Sequence, residues 1–169
     1  GAATEDSNAF DVTVGAAVAL AIATQPSGAV AGTVLTSQPI VRLTDAGGNT
    51  VTSDSATVVT ATIQTDPGSG GSILSGTVAR GVTSGVAIYT NLAINRTGTG
   101  FILRFTANPG GGTITVDSSA FTVTPGTLAS LSVATQPAGA RGAAVFSTQP
   151  VIRLLDGQGN IVTTDAGTN

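Results

Sequence analysis

Apolar and polar residues alternate with a period of two through much of this chain, the mark of half-buried β-strands. In 38–44, Pro39, Val41 and Leu43 fall on one side, and Ile40, Arg42 and Thr44 on the other. In 100–107, Phe101, Leu103, Phe105 and Ala107 point one way, and Ile102, Arg104 and Thr106 the other. The Arg-free faces are assigned to the core, because an unpaired guanidinium is costly to bury. The pattern predicts strands over 19–24, 38–44, 56–64, 71–74, 86–92, 100–107 and 113–123. Between them lie turn signals: Gln25-Pro26-Ser27-Gly28, Asp45–Asn49, Asp66–Gly70, Asn95–Gly98 and Asn108-Pro109-Gly110. Pro presets φ, Gly takes positive φ, and Asn or Asp bonds to nearby backbone. No segment carries a helical period, so the class is all-β.

The pattern also recurs. Ser-Asn-Ala-Phe-Asp-Val-Thr-Val-Gly at 7–15 returns as Ser-Ser-Ala-Phe-Thr-Val-Thr-Pro-Gly at 118–126. Ala-Thr-Gln-Pro at 23–26 returns at 134–137, and Asp45, Gly48 and Asn49 return as Asp156, Gly159 and Asn160. The spacing is 111 residues throughout, and 1–58 aligns with 112–169 without a gap, at 28 identities in 58 pairs. A repeat of this length predicts stacked structural units. Three pieces follow: 1–17, the last strand of one unit with a junction; 18–125, a complete unit; and 128–169, the first half of the next. The junctions Gly15-Ala16-Ala17 and Pro125-Gly126-Thr127 are too short for a loose linker. Seven short strands in 18–125 are the number and size of an immunoglobulin-like β-sandwich. Half a unit cannot bury a core alone. The stretch is therefore expected to be a window on a longer array, or a filament subunit that exchanges strands with its neighbour.

Four segments carry a resemblance. They are Leu20-Ala-Ile-Ala-Thr-Gln-Pro-Ser-Gly-Ala, Gln38-Pro-Ile-Val-Arg-Leu-Thr-Asp-Ala-Gly-Gly-Asn-Thr-Val, Gly85-Val-Ala-Ile-Tyr-Thr-Asn-Leu-Ala-Ile and Gly98-Thr-Gly-Phe-Ile-Leu-Arg-Phe-Thr-Ala. Together they resemble the bacterial Ig-like repeats of large surface adhesins of the invasin/intimin kind. The resemblance implies a stalk or fibre module outside the cell, with binding often left to other domains.

Composition narrows the chemistry. Hydrophobic residues make up 41%, enough for a core, but charged residues are only 9% and aromatics 4%. The solvent face is therefore rich in Thr and Ser and nearly neutral. There is no His, Cys, Met, Trp or Lys, and all six basic residues are Arg. That removes the commonest general base, the thiol nucleophile, Schiff-base lysine and the best zinc ligands. No enzyme is expected. A net charge of −3 with scattered Arg argues against nucleic acid. The longest apolar run, 16–23, is too short to span a membrane. No secretory signal stands in the stretch, so that of an extracellular protein would lie outside it.

A few side chains invite a site. Asp45, Asn49 and Asp54, echoed by Asp156, Asn160 and Asp165, could give oxygens to Ca²⁺, the one cofactor worth naming. Calcium takes about six to eight oxygen ligands, so the favoured alternative is an Asx-stabilised hairpin turn. Asp6 and Asp117 occupy matching positions in the last strand. Glycosidase acids need a cleft and a spacing of about 5–9.5 Å, and solvated edge charges are the simpler reading. Asn95-Arg96-Thr97 is an N-glycosylation sequon in a predicted loop, with Asn95 the acceptor. Arg42 and Arg153 recur on an outward face, suited to an acid or a neighbouring chain. The Gly-rich runs at 68–72 and 110–112 lack the Lys and following helix of a phosphate loop, and read as long turns.

The expected function is a spacer in a cell-surface or extracellular fibre, with neighbouring units of the same or identical chains as partners. The alternatives are an adhesive module for glycan or host-surface ligands, a strand-exchanging filament subunit, and a domain decorating a phage virion. The only Tyr, Tyr89, is assigned to the core, which weakens a carbohydrate platform.

Overall fold

The computed structural model describes residues 4–68 and 70–163. They form an all-β protein. In chain order the strands are β1 (Ala19–Thr24), β2 (Ala29–Val30), β3 (Ile40–Thr44), β4 (Val58–Thr65), β5 (Leu74–Ser75), β6 (Ala79–Gly81) and β7 (Val86–Ile88). Then follow β8 (Ala93–Ile94), β9 (Gly98–Ala107), β10 (Ile114–Asp117), β11 (Phe121–Thr124), β12 (Leu128–Thr135) and β13 (Val151–Asp156). One sheet has the order β1-β3-β7. A second runs β2-β11-β9-β4-β6, with β10 also on β9. The pairs β5-β8 and β12-β13 stand apart.

The alternation decides which faces meet. Pro39, Val41 and Leu43 of one sheet are buried, as are Phe101, Leu103, Phe105 and Ala107 of the other, while Arg42 stays exposed. They join Leu20, Val59, Ala61, Ala87, Phe121 and Val123 in one core. Each large apolar side chain so buried contributes roughly 1.5–3 kcal/mol. Tyr89 lies in this core, its ring 5.5 Å from Phe105, and donates its hydroxyl hydrogen to the carbonyl of Val59 at 2.8 Å. Burial holds its phenol well above the ordinary 10.0.

Several strands differ from the pattern-based expectation. The strand expected over 113–123 is two, β10 and β11, broken at Ser118. There the buried Ser118 donates its backbone N–H to the Leu103 carbonyl and accepts the Leu103 N–H on Oγ. A side chain thus takes the place of a ladder carbonyl. The strand expected over 86–92 ends at Ile88, and that expected over 71–74 begins only at Leu74, because Gly71 adopts positive φ. The alternation does not predict the short β2 and β6. β2 pairs in parallel with β11, Ala29 opposite Val123, a non-local pairing that no alternation announces. The chain passes from the second sheet to the first through Ser84-Gly85, both at positive φ, closed by mutual hydrogen bonds of Thr83 and Val86. This is the geometry of a two-residue type I′ turn.

β12 and β13 repeat the pairing of β1 and β3. Leu20 faces Leu43, Ala21 faces Arg42 and Ile22 faces Val41; 111 positions on, Leu131 faces Leu154, Ser132 faces Arg153 and Val133 faces Ile152. The irregularity between Ile22 and Thr24 returns between Val133 and Thr135. Burial does not repeat: Leu20 is 7% exposed and Leu131 66%. Likewise the described part of 1–17 forms no strand, and Phe10 is 79% exposed where Phe121 is 8%.

Candidate functional site

The 44–50 hairpin turn is built around one carboxylate. The buried Asp45 directly follows β3, and Gly48, at φ 81°, lets the chain reverse. Asp45 Oδ1 accepts the N–H groups of Gly47 (3.0 Å) and Asn49 (2.8 Å) and the Asn49 Nδ2 amide (3.2 Å). Oδ2 takes Nδ2 again at 3.2 Å and the N–H of Gly15 at 3.0 Å. The last bond reaches back 30 residues to the junction ahead of β1. The Gly15 bond foremost, then those from Asn49 and Gly47, hold the Asp45 carboxyl below the ordinary 3.8.

Asp156 repeats the arrangement. Oδ1 accepts from the backbones of Gln158 (2.9 Å) and Asn160 (2.8 Å), and Oδ2 from Gly126 (2.9 Å) and Asn160 Nδ2 (3.0 Å). Burial opposes its ionisation, but the bonds from Gly126, Asn160 and Gln158 together prevail and lower its pKa. Asn160 goes further than Asn49. Its Nδ2 donates to the Asn95 carbonyl at 3.0 Å, and its Oδ1 accepts the Thr97 N–H at 3.3 Å. One side-chain amide thus clasps the 95–97 turn to the β12–β13 hairpin. Asn160 is 5% exposed, whereas Asn49 lies on the surface.

The carboxylates of Asp45 and Asp156 are therefore engaged by donors, and Asn160 Oδ1 accepts the Thr97 N–H. Asp54 accepts the N–H groups of Ala56 and Thr57 (both 2.9 Å) and the Thr57 hydroxyl (2.7 Å). The Thr57 bonds outweigh burial and lower its pKa. Asp165 lies outside the described residues. Among those described, no group of three or more His, Cys, Asp and Glu gathers as a metal-holding set. No protein-family model matches the chain, and no curated protein matches it.

The other singled-out residues are dispersed. Asp117, expected in the same strand as its downstream core residues, closes β10 instead. It is held in a two-pronged pair by Arg104, Nε to Oδ1 at 2.7 Å and Nη2 to Oδ2 at 2.8 Å. Asp6 is exposed and outside every strand. Asn95 sits at the clasp, its Oδ1 accepting the Ile73 N–H at 2.7 Å. Among the described residues no helix is long and apolar enough to cross a membrane.

Two relationships carry no signal in the sequence. Gly15 and Gly126 occupy matching positions of the repeat, yet no local pattern marks them as donors to the aspartates 30 residues on. In the sequence Arg96 is only the middle residue of a sequon. In the structure it lines one cavity together with Arg153.

Proposed function

We propose that this chain is part of a tandem array of immunoglobulin-like β-sandwich units, acting as a structural spacer in an extracellular or cell-surface fibre or stalk. The observation that carries the reading is the pair-by-pair return of the β1–β3 register in β12–β13, 111 positions on. The same junction bond, glycine N–H to turn aspartate, returns with it. Units joined by a bonded junction suit projection better than independent movement. The reading assigns no chemical step to any residue. The neutral, hydroxyl-rich surface serves solubility, and neighbouring units are the partners. Intact mass and small-angle scattering of the native polypeptide test it. A mass several times 16.3 kDa with rod-like scattering is expected; a compact particle of any mass would overturn it.

A strand-exchanging filament is the second reading, and the apolar exposure of Phe10 and Val12 favours it. Their counterparts Phe121 and Val123 are buried on β11. In an array, the sheet that covers 7–14 belongs to the preceding unit of the same polypeptide. In a filament it belongs to another copy. A native mass near 16.3 kDa in a polymer that denaturant disperses would choose the filament.

A further inference from the structure

We infer that the clasp between the 95–97 turn and β12–β13 holds a binding site for a sulfate- or phosphate-like oxyanion, gripped by Arg96 and Arg153. The two arginines line a cavity of about 430 Å³ with Thr97, Ser132, Gly159 and Asn160. No Asp or Glu is among its lining residues. Arg96 Nε is buried and has no hydrogen-bond partner among the described residues. A buried donor left so is uncommon, because its desolvation goes uncompensated. Nearby acids do not serve it. The Asp66 carboxylate accepts from Gly68 and Ser72, and that of Asp156 from its own turn and Gly126. The ion pair among the described residues is Arg104 with Asp117, on another part of the molecule.

The site is built rather than incidental. Arg153 faces outward from β13 beside Ser132 of β12, their Cα atoms opposite in register. Arg96 comes from the turn ahead, and Asn160 fixes the distance between the two walls by its bonds to Asn95 and Thr97. Guanidinium forks match the oxygens of sulfate or phosphate with paired donors, and the Thr97 and Ser132 hydroxyls add neutral ones. The inference does not depend on the array reading, since both walls lie in this chain. It does give Arg153, the outward arginine of β13, a use that solvation alone does not.

The test is a titration of the full chain, ¹⁵N-labelled, with sodium sulfate against sodium chloride at matched ionic strength. Saturable shifts of the Thr97, Ser132 and Asn160 amides are expected with sulfate and not with chloride. Arg96→Gln or Arg153→Gln should each weaken binding by roughly tenfold or more, the loss of about one charge-assisted bond. Arg80→Gln should leave it unchanged. Arg96→Lys, which keeps the charge but loses the fork, should fall between. Should Arg96→Gln loosen the clasp, the free-state Thr97 shift will move, and Arg153→Gln then carries the test. A short sulfated oligosaccharide separates the sources. Tighter binding than sulfate through the same arginines assigns the group to a polymer, and equal binding assigns a free ion. Non-saturating shifts shared with chloride, or saturable binding that survives both Gln substitutions, would overturn the site.

Discussion

The hydroxyl of Tyr89 donates to the carbonyl of Val59 across the core, joining the loop after β7 to β4 at 2.8 Å. The ring meanwhile packs on Phe105. Tyr89→Phe keeps the packing and removes the bond, so it should lower unfolding free energy by about 0.5–1.5 kcal/mol. Urea unfolding with an unchanged slope would report this; no change in midpoint would mean that the bond is idle.

Tyr89 is also the only tyrosine, so phenolate absorbance near 295 nm reports on it alone. Its folded pKa is raised by burial above the ordinary 10.0. The stability tied to the neutral phenol is complete below pH 10.0 and is lost as pH rises beyond it. Absorbance should therefore climb together with loss of β-sheet circular dichroism. A rise at pH 10.0 with the fold intact would show the ring to be wet.

At the acid end the sign reverses. Asp45, Asp54, Asp66, Asp117 and Asp156 all lie below the ordinary 3.8 in the folded protein. Their contribution is present above 3.8 and disappears as pH falls through the lower folded values. Melting temperature should hold steady from neutrality to about pH 5 and drop below about pH 4. A decline already complete by pH 5 would contradict the bonding described.

How much of this was legible beforehand depends on locality. β1 has the bounds that alternation assigns, and the Arg-free faces of β3 and β9 are the buried ones. Both follow from the period of two, which every residue of a strand votes on. β2 is two residues long and pairs with β11 more than 90 positions away, so no local pattern could reveal it. Ser118 broke an otherwise alternating run because its hydroxyl can mimic a backbone acceptor, a property shared by every other serine here. Asp45 and Asn49 were legible as turn formers. That Asn160 would reach the 95–97 turn while Asn49 stays exposed was not, since the two residues occupy the same sequence pattern.

Glycine substitutions separate strain from collision. Gly48 has φ 81° with open space around it, so Gly48→Ala carries only the left-handed penalty, about 1–2 kcal/mol. Gly85 has φ 73°, and a Cβ there would stand 2.4 Å from the Val51 carbonyl oxygen. Gly85→Ala should therefore lower the melting temperature clearly more than Gly48→Ala. Equal effects in the two variants would mean that the 82–85 crossing yields freely.

Calcium should leave stability unchanged. The oxygens of Asp45, Asp54 and Asp156 already accept N–H or O–H donors. Melting in millimolar calcium and in excess chelator should coincide; an upward shift with calcium would mean that the turns reopen to bind it.

The bond from Gly15 to Asp45 has a mechanical consequence. The chain ahead of β1 is fastened to the far end of β3, and Gly126 is fastened to Asp156 in the same way. Tension pulling on residue 14 is therefore shared with the 44–50 turn before it can peel Ala19 from Thr44. Asp45→Ala would remove that shunt. The first strand would then bear the whole load, and rupture under force would begin with the peeling of β1 from β3 at Ala19 and Thr44.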